Sequence, residues 1–354
     1  MSAGALRVRL AHETDRPAWD AFVAGRPEAD FLQDWAWGEV MAPDGEAPRR
    51  LLAEGAAGTI RGLAQALARP AALGRSVWYL PHGPIWEREA PDGDGVLDAL
   101  LTALGAAARS ERAIVVKLDP RGLGGDADRL AAALHGRGLR RARHDLQAPT
   151  TRVVDLLEDE AGLQATWHHT ARRFVRRSER EGVVIEAHRD VDPTALAEFH
   201  SIYAATARRA DFRARSAGFL DRLAGAFAPG GRWLLVLARL GGRVIAGIAV
   251  PRLGDRAYYL YAASSKEPEL RHAYGGYAAM AGAMRELRAG GARTLDLWGV
   301  AEEDDPSADP TWRGFSTFKR AFGGMPLRHP GTFDRVIDPA WYALRDLRER
   351  LRSG

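Results

Sequence analysis

The chain has 354 residues, 46% of them hydrophobic and 27% charged, which is enough apolar material for two packed cores rather than one. It has no cysteine, which excludes disulfides, cysteine-ligated zinc and a thiol nucleophile. Its net charge of +4 is too small to indicate a polyanionic partner by itself, and the sequence has no stretch typical of a signal peptide or a membrane span, so we expect a soluble, cytoplasmic protein.

The first half of the sequence predicts two helices, a strand pair and then alternating strands and helices. The strand pair surrounds a glycine-containing turn, and the apolar segment AIVVKLDP is typical of a buried strand. In chain order the predicted elements are helices at 17–25 and 31–41, strands within 49–70, a strand at 76–84, a helix at 95–110, a strand at 113–120 and a helix at 126–136.

The second half repeats this order of elements without repeating the sequence. The predicted elements are helices at 193–208 and 217–227, strands within 232–253, a strand at 256–265, a helix at 272–289, a strand at 292–300 and a helix around residue 319. A repeated order indicates a duplicated folding unit. We therefore predict an α/β protein of mixed α+β type, with two tandem N-acyltransferase-like (GNAT-type) domains at 1–150 and 151–330, each a mixed β-sheet flanked by helices.

The segment between the two halves predicts a helix with one strongly basic face. Its arginines recur at helical spacing and are Arg172, Arg173, Arg176, Arg177 and Arg180. Guanidinium groups in such an array suit phosphates. A solvated helix face, partly neutralised by Glu179 and Glu181, explains the same pattern.

Only three of the 50 basic residues are lysine, and one of them, Lys319, lies in the segment FSTFKRAFGG. Phe315, Phe318 and Phe322 recur there at helical spacing and are predicted to bury one helical face, with Lys319 at its rim pointing outward. A lysine retained in an arginine-rich chain indicates a site that needs a compact ammonium group. The alternative is a surface lysine paired with the aspartates at 304–305.

Seven segments, in their order and spacing, resemble the Fem family (FemABX) of peptidoglycan-bridge aminoacyltransferases. They are FLQDWAWGEVM, VWYLPHGPIWE, VVKLDP, RRFVRRSEREGVVI, YLYAASS, LDLWGV and FSTFKRAFGG. The resemblance covers nearly the whole chain and implies two acyltransferase-like domains, with residues 331–354 packing back on the first. The second half has no heptad run, so the chain resembles the members that lack a coiled-coil arm.

This resemblance implies an enzyme that joins the amino acid of an aminoacyl-tRNA to a side-chain amine of a peptidoglycan precursor, in cell-wall cross-bridge synthesis. The precursor is either lipid-linked or nucleotide-linked (UDP-MurNAc-pentapeptide). No cofactor is implied, because the ester is already activated, and the histidine spacing predicts no metal site. We expect a monomer, and a lipid-linked precursor is compatible with peripheral contact at the inner face of the membrane.

The resemblance also implies which residues form the site. The candidate catalytic residues are Lys319, which would face the ester and the 3′ end of the tRNA, Asp119 and Asp296. The candidate substrate-binding residues are Arg215, Tyr259, Tyr261, Trp37 and Tyr79, and Arg320 joins the five arginines above as a candidate tRNA-binding residue.

Structural roles explain several of these residues equally well. Arg215 could cap a helix, Asp119 could form a turn before proline, and Asp296 could cap a loop. The two tyrosines could pack a sheet, and we expect one of them to face the core because side chains alternate along a strand.

Other functions stay open. The family places a diphosphate-binding lysine in the helix QDWAWGEVM at 33–41, where this chain has Glu39 and Met41, so an aminoacyl-tRNA-dependent ligase with a small-molecule or peptide acceptor is one alternative. A coenzyme-A-dependent N-acyltransferase is another, although RHAYGGYAAM lacks the glycine spacing that cradles a pyrophosphate. A non-catalytic RNA-binding protein could use the basic helix, but the chain lacks the usual RNA-binding motifs.

Overall fold

The computed structural model describes residues 6–302 and 312–353. These residues form two compact units. Unit 1 comprises the described residues up to Pro149 together with those from Arg328 onward, and unit 2 is Thr150–Leu327. None of the helices in the described ranges is long and apolar enough to cross a membrane.

Unit 1 is built on one mixed sheet. Its strands are β1 (Arg7–Leu10), β2 (Ala47–Glu54), β3 (Ile60–Pro70), β4 (Ser76–Leu80), β5 (Ile85–Trp86), β6 (Ala113–Leu118), β7 (Arg140–Arg141) and β16 (Phe333–Val336), and its helices are α1 (Arg16–Ala24), α2 (Trp35–Met41), α3 (Gly93–Ser110), α4 (Ala127–Gly136) and α11 (Pro339–Ser353). The spatial order is β1-β2-β3-β4-β6-β16-β7, with β5 paired to β3. Strands β4 and β6 are parallel.

The core of unit 1 lies between this sheet and α3. Every residue of β6 is buried, as expected for a short apolar strand in the interior of a sheet. Gly62 on β3 allows α3 to approach closely, because a Cβ atom there would lie only 2.9 Å from Leu100 Cδ1. The helix therefore packs directly on the strand pair that the sequence predicts.

Unit 2 is built on a second mixed sheet. Its strands are β8 (Thr150–Asp155), β9 (Val184–His188), β10 (Trp233–Leu240), β11 (Arg243–Leu253), β12 (Arg256–Tyr258), β13 (Tyr261–Ser264), β14 (Thr294–Gly299) and β15 (Met325–Arg328), and its helices are α5 (Glu160–Ala165), α6 (His169–Arg180), α7 (Pro193–Arg209), α8 (Ala217–Phe227), α9 (Gly275–Ala289) and α10 (Arg313–Arg320). The spatial order is β15-β8-β14-β12-β11-β10-β9, with β13 paired to β11. Strands β12 and β14 are parallel.

The two sheets share one strand arrangement. The order β2-β3-β4-β6 in unit 1 corresponds to β10-β11-β12-β14 in unit 2, and each series ends in a parallel pair. The predicted class of mixed sheets flanked by helices is therefore confirmed. Two predicted strands differ from the structure: the strand at 76–84 ends at Leu80, and the strand at 256–265 is broken between Tyr258 and Tyr261.

Candidate active site

The break in the predicted strand at 256–265 opens a gap in the sheet of unit 2. Strands β12 and β14 pair through Tyr258 and Asp296, and the amide N of Tyr259 donates a 2.8 Å hydrogen bond to the carbonyl O of Asp296. Beyond this point β13 pairs with β11, whereas β14 continues along β8. Strands β13 and β14 therefore diverge, and the residues near the ends of both strands line the gap.

Lys319 of α10 reaches the end of β14 beside this gap. Its Nζ donates a 2.8 Å hydrogen bond to the carbonyl O of Gly299 and lies 5.2 Å from the ring centroid of Tyr259. The residue is only 7% exposed. Burial lowers the pKa of the Lys319 amine to about 7, and the nearby Asp296 carboxylate opposes this shift. The amine can therefore gain or lose a proton near neutral pH.

The prediction that Lys319 points outward is wrong. Phe318 and Phe322 do pack with Tyr277 in the core, with ring centroids 4.9 and 5.7 Å from the Tyr277 ring, but Phe315 is 41% exposed. The Phe315 ring centroid lies 5.1 Å from Lys319 Nζ, so this ring helps to cover the amine. The aspartates at 304–305, proposed above as alternative partners, lie outside the described residues.

Asp296 supports the turn at the end of β14. Its Oδ1 accepts a 2.8 Å hydrogen bond from the amide N of Trp298, and its Oδ2 lies 3.4 Å from Thr151 Oγ1. The pairing of β14 with β8 shifts register between Asp296 and Gly299, and Trp298 has a φ of +60°. Asp296 thus holds the irregular backbone that precedes the carbonyl bound by Lys319, as the loop-capping interpretation predicted.

Arg215 and Tyr261 meet around one phenylalanine of unit 2. Arg215 Cζ lies 4.6 Å from the ring centroid of Phe219, and the Tyr261 ring lies 6.0 Å from the same centroid. Tyr261 also packs edge-on to Tyr203 at 5.6 Å. The N-cap of α8 is Ser216, whose Oγ accepts from the amide N of Phe219 at 3.2 Å, so Arg215 is not the cap that the alternative interpretation invoked.

One of the two candidate tyrosines faces the core, as expected, because Tyr259 packs against the hydrophobic core of unit 2. Tyr259 and Tyr261 are both half-buried, and their neighbour Tyr258 is fully buried and packs edge-on to Trp298 at 6.1 Å. Residues two positions apart lie on the same side of a strand, and the strand here is interrupted after Tyr258. This interruption lets Tyr259 pack on the core while Tyr261 packs against Tyr203 and Phe219.

In unit 1, the structure joins Asp119 to Tyr79 at the ends of the parallel strands β4 and β6. Asp119 Oδ2 accepts a 2.8 Å hydrogen bond from Tyr79 Oη, and Oδ1 accepts one of 2.8 Å from the amide N of His82. Burial raises the pKa of the Asp119 carboxyl to about 6, although the charge of His82 and both hydrogen bonds oppose the shift. Asp119 is therefore a second group that titrates near neutral pH.

A buried pair that sequence reasoning missed holds the turn next to Asp119. His82 has a φ of +49°, and its Nδ1 contacts the carboxylate of Asp30. Burial opposes ionisation of Asp30, but His82 and Arg121 lower its pKa. The histidine between proline and glycine in the segment LPHGP was the available signal, because such a turn favours left-handed backbone.

Trp37, a further candidate substrate-binding residue, lies in the interior of unit 1. It is buried, and its ring packs edge-on to Phe31 with centroids 5.4 Å apart. On the same helix, Glu39 forms a 3.0 Å ion pair with Arg16, and Met41 is buried. The helix in which the family places a diphosphate-binding lysine therefore presents no cation at these two positions.

The predicted basic face is present on α6. Ala171, Val175 and Ser178 are buried on its inner side, and the five arginines spread over about 140° of the opposite side. Among the described residues, Arg177 forms a 3.4 Å ion pair with Glu181, which neutralises little of the charge of five cations. Arg320 is anchored near Lys319 through a hydrogen bond from Nη1 to the carbonyl O of Ala301.

Comparison with known proteins identifies the relatives of this chain. The family model of the acetyltransferase (GNAT) domain matches residues 165–306. The Lipid II:glycine glycyltransferase of Staphylococcus aureus (strain bovine RF122 / ET3-1) is 22% identical over 410 aligned residues, which cover 95% of each chain. The enzyme of the same name from Staphylococcus saprophyticus is 22% identical over 407 aligned residues, also 95% of each chain. The chain is homologous to these Fem-type glycyltransferases.

Solved structures agree with this homology at the level of the fold. FemX matches with a TM-score of 0.82 at 21% identity, over 95% of this chain and 99% of the FemX chain. A tandem GNAT protein from the clavulanic acid biosynthesis pathway matches with a TM-score of 0.59 at 13% identity, over 95% of this chain and 99% of that chain. The Fem resemblance and the GNAT-type fold are thus confirmed, and this Fem homologue is an aminoacyltransferase.

Proposed function

We propose that this Fem homologue transfers the amino acid of an aminoacyl-tRNA to an amine of a peptidoglycan precursor. The names of its relatives specify lipid II and glycine, which supports a lipid-linked precursor as the acceptor. The single observation that carries the proposal is the buried amine of Lys319, hydrogen-bonded to Gly299 beside the gap between β13 and β14. A reaction on an activated ester needs such a cation more than it needs a cofactor.

In the proposed reaction, the neutral acceptor amine attacks the ester carbonyl carbon, and a C–N bond forms. The C–O bond to the terminal ribose then breaks, and the proton lost by the amine ends on the ribose hydroxyl. The Lys319 ammonium donates a hydrogen bond to the oxyanion, or to the leaving ribose oxygen, as negative charge develops there. With its pKa lowered to about 7 by burial, Lys319 is acidic enough to pass a proton to that leaving oxygen. The proton released by the acceptor amine then restores the ammonium, so that one proton moves in total from the amine to the ribose oxygen.

Two neighbours of Lys319 support this role. Asp296 accepts a hydrogen bond from the amide N of Trp298 and so holds the backbone that leads to Gly299. Its negative charge also raises the pKa of the Lys319 amine, against the effect of burial. The ring of Tyr259 covers one side of the amine at 5.2 Å. We infer that Asp296 acts by positioning and electrostatics rather than as the base, because its carboxylate already accepts from the main chain.

The proposed tRNA surface is the basic face of α6. A tRNA backbone would displace counterions from these exposed guanidinium groups, which favours binding in a salt-dependent way. Arg320 would extend this surface toward Lys319, because its guanidinium is held at the carbonyl of Ala301 in the same part of unit 2.

The acceptor is proposed to bind unit 2 through Arg215 and Tyr261, which lie around the ring of Phe219. Arg215 offers the planar donor group that binds diphosphates in a bidentate manner. In unit 1, Asp119 and Tyr79 stay candidate residues, joined by the 2.8 Å hydrogen bond from Tyr79 Oη to Asp119 Oδ2. A lipid-linked precursor would require peripheral contact with the membrane, which we include in the proposal.

The ion pair of Glu39 with Arg16 favours a second candidate function. A carboxylate at this position, beside the buried Met41, does not suit a diphosphate. An aminoacyl-tRNA-dependent ligase that modifies a small molecule or peptide would not need a cation there. In this alternative, aminoacyl-tRNA still donates the amino acid, and Lys319 keeps the same role.

Transfer of label tests both candidates. The purified protein is incubated with radiolabelled aminoacyl-tRNAs and, in separate reactions, with lipid-linked precursor, nucleotide-linked precursor or a mixed pool of small amines and peptides. We expect label on a precursor, and deacylated tRNA with free labelled amino acid serves as the control. Label only in the small-molecule pool supports the ligase. Parallel reactions contain labelled acetyl-coenzyme A in place of aminoacyl-tRNA, and transfer in these reactions alone would overturn both candidates.

A further inference from the structure

Helix α11 of unit 1 carries a stripe of leucines that faces away from the protein. Leu344, Leu347 and Leu351 are 48%, 53% and 75% exposed. Their spacing of three and then four residues places them on one side of the helix. Scattered exposed leucines are ordinary, but three in one row on a helix form a continuous apolar face.

The opposite side of α11 fixes the helix to unit 1. Trp341 and Tyr342 pack against a small core of Val77, Ile114 and Val115. The leucine stripe is therefore not the face that attaches the helix to its own domain, and it is held in a fixed orientation toward solvent.

The charges of α11 are arranged unevenly around this stripe. The acids Asp346 and Glu349 lie on the less exposed side and form ion pairs within the helix, with Arg350 at 2.7 Å and Arg345 at 2.8 Å. Arg348 and Arg350 are exposed and flank the leucines on either side. The outward surface of the helix is thus apolar along its middle and cationic along its edges.

We propose that the outer face of α11 binds the surface of an anionic lipid bilayer, with the three leucines in the boundary between headgroups and acyl chains and the flanking arginines at lipid phosphates. An apolar stripe edged by arginine is the pattern that interfacial helices use, because long basic side chains reach the headgroups while the stripe is buried. The attraction of arginine to anionic headgroups supplies the charge complementarity.

A second copy of the chain fits this face less well. Two such helices side by side would bring the Arg348 and Arg350 edges of both copies together, while Asp346 and Glu349 are already paired within each helix. Three leucines also span one heptad, whereas paired helices need several. Charge complementarity therefore favours a lipid surface.

Sedimentation with vesicles tests this proposal on the full chain. The wild type is mixed with vesicles of phosphatidylglycerol and phosphatidylcholine, or of phosphatidylcholine alone, and the bound fraction is measured. The test variant combines Leu344→Ser, Leu347→Ser and Leu351→Ser. The matched control combines Leu10→Ser, Leu73→Ser and Leu157→Ser, whose leucines are 56%, 75% and 57% exposed.

We expect the wild type and the control variant to bind the anionic vesicles, and the α11 variant to bind at least about tenfold more weakly because apolar burial is lost. Arg348→Gln should weaken binding about fivefold at low salt, with less effect at high salt, and Arg129→Gln is its control. The wild type should prefer anionic over neutral vesicles.

Equal loss in the α11 and control variants, or equal binding to both kinds of vesicle, would overturn the proposal. Light scattering identifies the competing occupant: a concentration-dependent dimer that the α11 substitutions abolish would assign the face to a second copy. The inference does not depend on the transfer reaction. Because the α11 leucines lie outside the proposed active site, transfer to a soluble acceptor should be unchanged in the α11 variant, whether or not lipid binding is lost.

Discussion

Lys319 and Gly299 are joined by a 2.8 Å hydrogen bond from the buried amine to a main-chain carbonyl. The other buried lysine of the described residues, Lys117, instead forms a 2.7 Å ion pair with Asp334, which also accepts from Tyr342 Oη. A carbonyl stabilises an ammonium group less than a carboxylate does, so burial without direct ion pairing makes the amine of Lys319 easy to deprotonate.

Lys319→Met should lower kcat by about 10²–10³-fold, as expected for the loss of one donor to a developing oxyanion. The melting temperature should stay the same or rise, because methionine removes the cost of burying a cation. Steady-state transfer kinetics and thermal unfolding measure the two effects. Lys319→Arg should rescue only part of kcat, because a planar guanidinium does not fit the position of an ammonium.

Two other lysines provide controls for this substitution. Exposed Lys266→Met should change neither kcat nor melting temperature, whereas Lys117→Met should lower stability because it leaves Asp334 buried without its cation. If Lys319→Met keeps more than about a tenth of the wild-type kcat, the proposed role of Lys319 is wrong.

The pH dependence should distinguish the wild type from Lys319→Arg. Burial lowers the pKa of Lys319 to about 7, so its charge is present below that pH and is lost as the pH rises through it. Arginine stays charged throughout. The ratio of kcat/KM for the wild type to that for Lys319→Arg should therefore be constant at low pH and fall as the pH rises above about 7. A ratio that is flat from pH 6 to 9 would contradict a catalytic ammonium at this position.

Arg215→Ala should raise the KM for the acceptor much more than the KM for aminoacyl-tRNA. The expected increase is at least about tenfold, since a charge-assisted contact to phosphate is lost. Arg222→Ala is a close control, because Arg222 Cζ lies 5.9 Å from the same Phe219 ring. Equal changes in both KM values, or equal effects of the two substitutions, would assign Arg215 a structural role.

Charge reversal on α6 should weaken tRNA binding and flatten its salt dependence. The variant combines Arg172→Glu, Arg176→Glu and Arg180→Glu, and binding is measured at several salt concentrations. Each lost phosphate contact should reduce the slope of log K against log salt by about one. The control with the same change of charge combines Arg129→Glu, Arg140→Glu and Arg143→Glu on unit 1, and an unchanged slope in the α6 variant would support the solvated-face interpretation.

Titration calorimetry should detect no micromolar binding of coenzyme A. The start of α9, where a pyrophosphate would need free amide groups, lies under aromatic packing: the Phe174 ring stacks on Tyr274 with centroids 3.9 Å apart, and Arg177 lies 5.4 Å from the Tyr274 ring. A micromolar dissociation constant would instead support the coenzyme-A-dependent alternative. A known coenzyme-A-dependent acyltransferase serves as the positive control.

Local patterns in the sequence were sufficient to predict the strand pairs, the longer helices and the basic face of α6. Each of these depends on residues within about ten positions of one another, such as Arg172 and Arg180 on α6. The duplication also follows from the order of such local elements. The resemblance to the Fem family needed only short segments in register, and the homology agrees with it.

The environment of each proposed catalytic group was decided by the tertiary structure. The Lys319 amine binds a carbonyl 20 residues away, and the imidazole of His82 contacts Asp30, which is 52 residues away. Strand β16 completes the first sheet by pairing Asp334 with Lys117 across 217 residues. Helical and strand periodicity show which face of an element is apolar, but burial and pKa depend on what packs there from distant segments. For that reason the sequence could single out Lys319 as a rare lysine in an arginine-rich chain, whereas its burial and lowered pKa depend on the tertiary structure.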